Sequence, residues 1–286
     1  MKSIKDMTIW EALDPYVLMW VWGILFTVVL VRYLVMSGVA YMIFWKWQHK
    51  RLQHRRIQQK FPKPKKVRNE VLWSLSTFVI FALNGIAVML LRKADLTLGY
   101  KNISDYGWAY YVFSILLMIV VHDAYFYWTH RTMHHKKLFK YFHAVHHHSH
   151  NPSPWAAFAF HPLEAVVEAG IIYVFLFAIP HHISAIGIFL LFMTFMNVLG
   201  HLGYELFPKN FVRHPVGQWV NTSTHHNMHH HRSKGNFSLY FNWWDRWMGT
   251  NHEKYFETYD EVTHRPKVVE ETTAQTEPQA VAGVTR

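Results

Sequence analysis

The sequence predicts an all-α integral membrane protein of four to five membrane helices, closed on its cytoplasmic side by a histidine-rich helical cap. Three observations carry that expectation: apolar runs long enough to cross a bilayer, a strongly basic segment between two of them, and histidines crowded at their ends. Of the 286 residues, 51% are hydrophobic and 17% aromatic, so a large apolar body is certain. The chain has no cysteine, which excludes disulfides, cysteine zinc sites, iron–sulfur clusters and thiol catalysis.

From Tyr16 towards Trp47 the chain is apolar, interrupted at Arg32 before the basic segment begins, and from Val71 to Leu91 it carries no charge. Each run can cross a hydrocarbon core of about 30 Å as a helix. Between them lies KWQHKRLQHRRIQQKFPKPKKVR (46–68), with ten Lys or Arg and no acid, a large part of the formal charge of +11. A basic segment between two spans is what the positive-inside rule expects of a cytoplasmic loop; these flanks argue against nucleic acid as its partner. The first run is also too long for a signal peptide.

Residues 108–121 are apolar and run on through HDAYFYWTH as one predicted helix. LEAVVEAGIIYVFLFAIP (163–180) and ISAIGIFLLFMTFMNVLG (183–200) are joined by His181 and His182, which suits a helical hairpin, either spanning or re-entrant. After Phe256 the composition turns polar, and a disordered tail is expected. The expected organisation is therefore an N-terminal membrane helix and basic loop (1–70), a membrane-embedded domain carrying the histidines (71–256) and a tail (257–286). Threading these spans through a bilayer brings 130–161 and 201–252 to the face of the basic loop.

Three histidine clusters lie in those two segments: HRTMHH (130–135), HAVHHH (143–148) and HNMHHH (226–231). On a helix advancing about 100° per residue, positions i, i+3 and i+4 share an arc, while i+5 is rotated away. His130 and His134 therefore share a face, as do His143, His146 and His147, and His226, His229 and His230. His135, His148 and His231 fall off those faces, and His225 stays ambiguous. Eight neutral imidazoles exceed the four that one tetrahedral zinc uses and suit two metals, each with an open position. His49, His54, His181, His182, His214, His252 and His264 are better read as caps or residues of solvated faces.

Between Tyr106 and His252 the acids are Asp123, Glu164, Glu168, Glu205 and Asp245. The paired Glu-x-x-His motifs of soluble di-iron bundles are missing there. These carboxylates are left to fix the ring tautomer of ligating histidines, or to cap helices and form ordinary ion pairs.

At this level the residues resemble a known family. HDAYFYWTHRTMHHKKLFKYFHAVHHHSHNPSPWAAFAFHPLE (122–164), HLGYELFP (201–208), STHHNMHHH (223–231) and NFSLYFNWWDRWMGT (236–250) look like the fatty acid hydroxylase and sterol desaturase superfamily, sterol C-5 desaturases especially. The resemblance implies a membrane non-haem enzyme with two Fe ions, which Zn can replace on purification, using O2 and external electrons to desaturate or hydroxylate a lipid. It assigns His130, His134, His143, His146, His147, His226, His229 and His230 as metal ligands, and His201 with them. His161, His122, His225, Asp123, Glu164 and Glu205 are expected either to join the ligands or to steady them.

With no cysteine and no G-x-G-x-x-G, the chain is expected to draw electrons from a ferredoxin, cytochrome b5 or reductase type partner, with the basic loop as a docking surface for an acidic one. The expected location is a bacterial inner membrane or the ER membrane, with the site on the cytoplasmic face. Two other classes compete. A histidine-rich metal transporter should place ligands inside its spans, and a zinc-dependent lipid hydrolase should have one metal and a general base such as Glu164 or Glu205.

Overall fold

Among the described residues, four helices are long and apolar enough to cross a membrane. The computed structural model describes residues 7–267. Helix α1 (Pro15–Ala40) starts where Asp14 accepts from the amides of Tyr16 and Val17, with Pro15 pre-set for the first turn. It continues as a wider π-helical turn through Tyr41–Trp47. Trp20, Ile24, Val28, Val31, Val35 and Val39 are exposed along it, as expected of a helix that faces hydrocarbon. Helix α2 (Pro64–Lys93) packs antiparallel to α1, with the Tyr33 ring 5.0 Å from Phe78. Helix α3 (Gly107–Met133) carries the first histidines in its last turn.

The stretch from Leu163 to Pro180 departs from expectation. Instead of one hairpin limb it forms two eight-residue helices, α4 (Pro162–Ala169) and α5 (Ile171–Ala178), each too short to cross a bilayer. The cause is local. The Tyr125 hydroxyl donates to the Val167 carbonyl at 2.7 Å, while the Gly170 amide takes the same oxygen at 2.9 Å. That carbonyl is lost to the regular ladder. A Cβ on Gly170 would lie 2.6 Å from the Tyr125 hydroxyl, so only glycine permits this approach. His181–His182 (β2) then pairs in parallel with Gly99–Tyr100 (β1), and α6 (Ile183–Gly200) returns to the histidine end, capped by His182.

Beyond α6 the cap is built from loops, helix α7 (Ser223–Arg232) and helix α8 (Tyr255–His264). Helix α8 corrects the expected tail: the boundary at 256/257 falls inside it, and Tyr255, Tyr259 and Val262 are buried against the cap. Their aromatic and branched side chains supply an apolar face that the polar average of the segment conceals. The tail from residue 268 onward lies outside the described residues. The basic segment is likewise tied down rather than free. The Ile57 amide donates to the Gly203 carbonyl at 3.0 Å, and the Arg56 guanidinium lies 3.1 Å from the centre of the Phe61 ring. Lys65, Lys66 and Arg68 remain exposed.

Candidate metal centre

Nine imidazoles converge beneath this cap in two groups, each with its ring nitrogens within 4.8 Å of one another. The first holds His130, His134, His143, His147 and His229; the second holds His146, His201, His226 and His230. His130 comes from the last turn of α3, and His134 is its C-cap. His143, His146 and His147 lie on or beside a single short turn, Ala144–His147, and His201 closes α6. Helix α7 supplies the rest. Its first turn is held by Glu205, which accepts from the Thr224 amide at 3.0 Å and the Thr224 hydroxyl at 2.7 Å. All nine are buried except His134, which is half-buried.

Backbone carbonyls decide which ring nitrogen carries the proton. His130 Nδ1 meets the Phe237 carbonyl at 2.7 Å, His201 Nδ1 the Asn197 carbonyl at 2.7 Å, and His229 Nδ1 the Gly235 carbonyl at 2.8 Å. A carbonyl can only accept, so each Nδ1 is the donor and each Nε2 keeps a bare lone pair. Glu164 acts in the same way on His143 Nδ1, at 2.6 Å.

In each group the Nε2 atoms face one another. His130 and His143 stand 2.9 Å apart, His147 and His229 2.9 Å, and His134 and His229 3.1 Å. In the second group His201 lies 3.3 Å from His146 and 3.1 Å from both His226 and His230, which are themselves 3.2 Å apart. His130 and His143 both donate through Nδ1, so their Nε2 lone pairs face and repel, and a shared cation removes the repulsion. Nitrogens about 2.1 Å from one metal ion lie about 3.0 Å apart at right angles and about 3.4 Å apart at tetrahedral angles. The observed spacings fit the former better and leave room for further ligands. Five nitrogens in the first group also exceed a closed tetrahedron. The residues fit two transition-metal ions.

Electrostatics keeps the rings in their ligating form. Burial, followed by neighbouring imidazoles, holds His143, His146, His226, His229 and His230 well below the ordinary histidine range and also lowers His134. Burial likewise brings His147 down to about 3 and His201 to about 4. A lowered pKa leaves the ring neutral near pH 7, as metal binding requires.

The other expected residues are placed elsewhere. His122 Nδ1 meets the Tyr240 hydroxyl at 2.7 Å. Asp123 accepts from the Tyr240 amide at 2.9 Å and Trp243 Nε1 at 2.6 Å, holding the 237–243 strap to α3 rather than steadying a ring. His161 caps α4, and Glu205 caps α7. His225 faces Asp245, with Nε2 3.4 Å from Oδ2. Among these six, Glu164 alone touches a ring of the two groups. His135, His148 and His231 are exposed, as helical phase requires. The single faces expected of the clusters are divided, however: His146 and His147, about 100° apart on one turn, join different groups, as do His229 and His230. The holding carbonyls were missed, because a backbone group leaves no residue type to read.

Below the groups lies a cavity of about 420 Å³ among α1 to α6. Its upper wall includes Phe126, whose ring is 4.9 Å from His130, Phe160, 5.2 Å from His146, and Asn197. Its lower wall includes Arg92 and Ile183.

Fold and site together define a class: a helical protein with four membrane-length helices whose histidines gather at one end, above an apolar cavity. Comparison with known proteins agrees. The family model described as Fatty acid hydroxylase matches residues 115–250. A Delta(7)-sterol 5(6)-desaturase of Gibberella zeae is 28% identical over 219 residues, 77% of this chain and 64% of that protein. One from Aspergillus fumigatus is 30% identical over 203 residues, 66% of this chain and 63% of that protein. Lathosterol oxidase of Rattus norvegicus is 28% identical over 195 residues, 67% of this chain and 63% of that protein. No solved structure matches. Residues 115–250 thus match the fatty acid hydroxylase family, and the chain is similar to sterol desaturases and to a lathosterol oxidase. Its matches span just under two thirds of the length of these relatives.

Proposed function

We propose that this protein is a membrane-bound di-iron oxidoreductase that uses O2 and external electrons to desaturate or hydroxylate a sterol-like lipid, with its site on the cytoplasmic face. The converging Nε2 atoms of two buried imidazole groups carry this reading. The relatives, sterol desaturases and a lathosterol oxidase, support the lipid class and the redox chemistry. All nine converging histidines are the proposed ligands. Iron bound there supplies O2 activation and attack on an unactivated C–H bond.

The chain's own residues do the rest. The carbonyls of Phe237, Asn197 and Gly235 and the Glu164 carboxylate hold the rings with Nε2 presented. Phe126 and Phe160 separate the groups from the cavity and keep water from the substrate. Walls such as Ile172, Phe189 and Leu190 hold the apolar body of the lipid against them. Glu164→Gln should weaken iron retention about 10- to 100-fold, as loss of a ligand's carboxylate partner does elsewhere. Iron content after graded chelation measures this.

Lys65, Lys66 and Arg68 offer an exposed basic surface for an acidic electron donor. Replacing all three with alanine should slow turnover with the native donor several-fold at low salt and leave iron content intact. Equal rates across ionic strengths would remove the docking role.

Two measurements test the whole reading. Anaerobically purified protein should hold two irons per chain and consume O2, whereas one tight zinc with O2-independent turnover would favour the hydrolase. Comparative lipidomics with and without the gene names the lipid. Loss of two hydrogens means desaturation, and gain of one oxygen means hydroxylation.

A further inference from the structure

Six polar side chains line the apolar cavity: Arg32, Asn84, Arg92, His122, Glu168 and Asn197. In one of them, His122, the place of the proton can be worked out. Its Nδ1 meets the Tyr240 hydroxyl at 2.7 Å, and Tyr240, fully buried, makes no other hydrogen bond through that oxygen among the described residues. A buried O–H needs an acceptor. The Tyr240 hydroxyl therefore donates, Nδ1 accepts, and in a neutral ring the proton then sits on Nε2. That N–H has no partner among the described residues, yet its neighbours do not seal it off, so it opens to the cavity the ring lines. Phe189, 5.2 Å away, and Phe126, 6.1 Å away, hold the imidazole edge-on.

We infer that the His122 Nε2–H binds an oxygen of the lipid and so sets which carbon lies beneath the histidines. This rests on the lipid-oxidising function proposed above. A donor in an apolar wall selects for an acceptor, because a ligand without one seals the N–H in unpaired. A hydroxyl and a ketone both accept, whereas a hydrocarbon offers nothing. The cavity therefore favours an oxygenated lipid over a hydrocarbon of the same shape. Its position also sets a register. His122 lies eight residues before His130 on α3, about 12 Å along the helix axis, with Phe126 midway and 4.9 Å from the His130 ring. An oxygen held at His122 is a fixed reference for the carbons above it.

Equilibrium binding to the full-length protein in nanodiscs, corrected for empty nanodiscs, tests this without turnover. The probes are two tritiated series: cholestane, cholestanol and cholestanone, and octadecane, octadecanol and octadecanone. Wild-type protein should bind the alcohol and the ketone of at least one series about fivefold or more tighter than the hydrocarbon, as expected for one hydrogen bond. His122→Leu should erase that gap and leave iron content unchanged. A gap that survives in His122→Leu gives the oxygen to another lining group and overturns the inference. Three wild-type outcomes overturn it even if the variant fails to fold: a preference for the alcohols alone, which calls for an acceptor in the wall; equal binding of all three probes in both series; or no binding. A gap confined to the octadecane series, with the steroids unbound, leaves His122 standing and sinks the sterol reading.

Discussion

His229→Ala should strip the first metal and reduce turnover by more than about a hundredfold, beyond the range reached by losing a ligand's outer partner. His229 Nε2 lies within 3.1 Å of both His134 and His147, so its loss removes the nitrogen that joins two others. His230→Ala should strip the second metal instead, since His230 meets His201 and His226. His231→Ala, two residues from His229 but exposed, should change neither metal content nor rate. Iron per chain across the three variants is the readout. A His231→Ala protein as depleted as His229→Ala would refute the assignment by helical phase.

Asp245→Ala should be the most damaging change outside the imidazoles. The buried carboxylate accepts from the amides of Phe237 at 2.9 Å and Ser238 at 2.8 Å and from the Thr250 hydroxyl at 2.7 Å, and it faces His225. Burial alone would push its pKa up. The nearby His225 ring, with the Thr250 hydroxyl and the backbone amide donors, outweighs burial and holds it below the usual carboxylate range. Removing one partner of such a buried constellation costs about 3–5 kcal/mol. The strap it anchors carries the Phe237 carbonyl that orients His130, so iron affinity should fall with stability. Thermal unfolding in detergent and iron titration separate the two losses. A variant that melts with the wild type would show that other contacts hold the strap.

The sequence made the spans and the histidine boxes legible because both are periodic. Apolar length reveals a span, and i, i+3, i+4 spacing reveals a face. The exposed i+5 histidines, His135, His148 and His231, follow from the same periodicity. What stayed hidden depends on partners distant in the chain. Phase places His146 and His147 on one arc, but only His201 and His229, brought in from other helices, divide them between groups. The break at Gly170 needs Tyr125, which lies 45 positions earlier. Helix α8 was concealed by a polar average over a segment whose apolar residues all face inward. Glu164 and Glu205 looked equivalent by type; one reaches a ring and the other a helix start, a difference that geometry alone expresses.

Three of the four groups that orient the rings of His130, His143, His201 and His229 belong to the main chain. Such a site has unusual heritability. Every amino acid carries the same carbonyl, yet residues 235 and 237 are bound for other reasons: Gly235 has φ +74° and a Cβ there would run into the Thr250 carbonyl, and the Phe237 ring lies 5.1 Å from His134. A one-residue insertion or deletion in that loop cannot be absorbed, since it would shift which oxygen meets which ring. In descendants of this chain the loop should stay constant in length and keep glycine at 235.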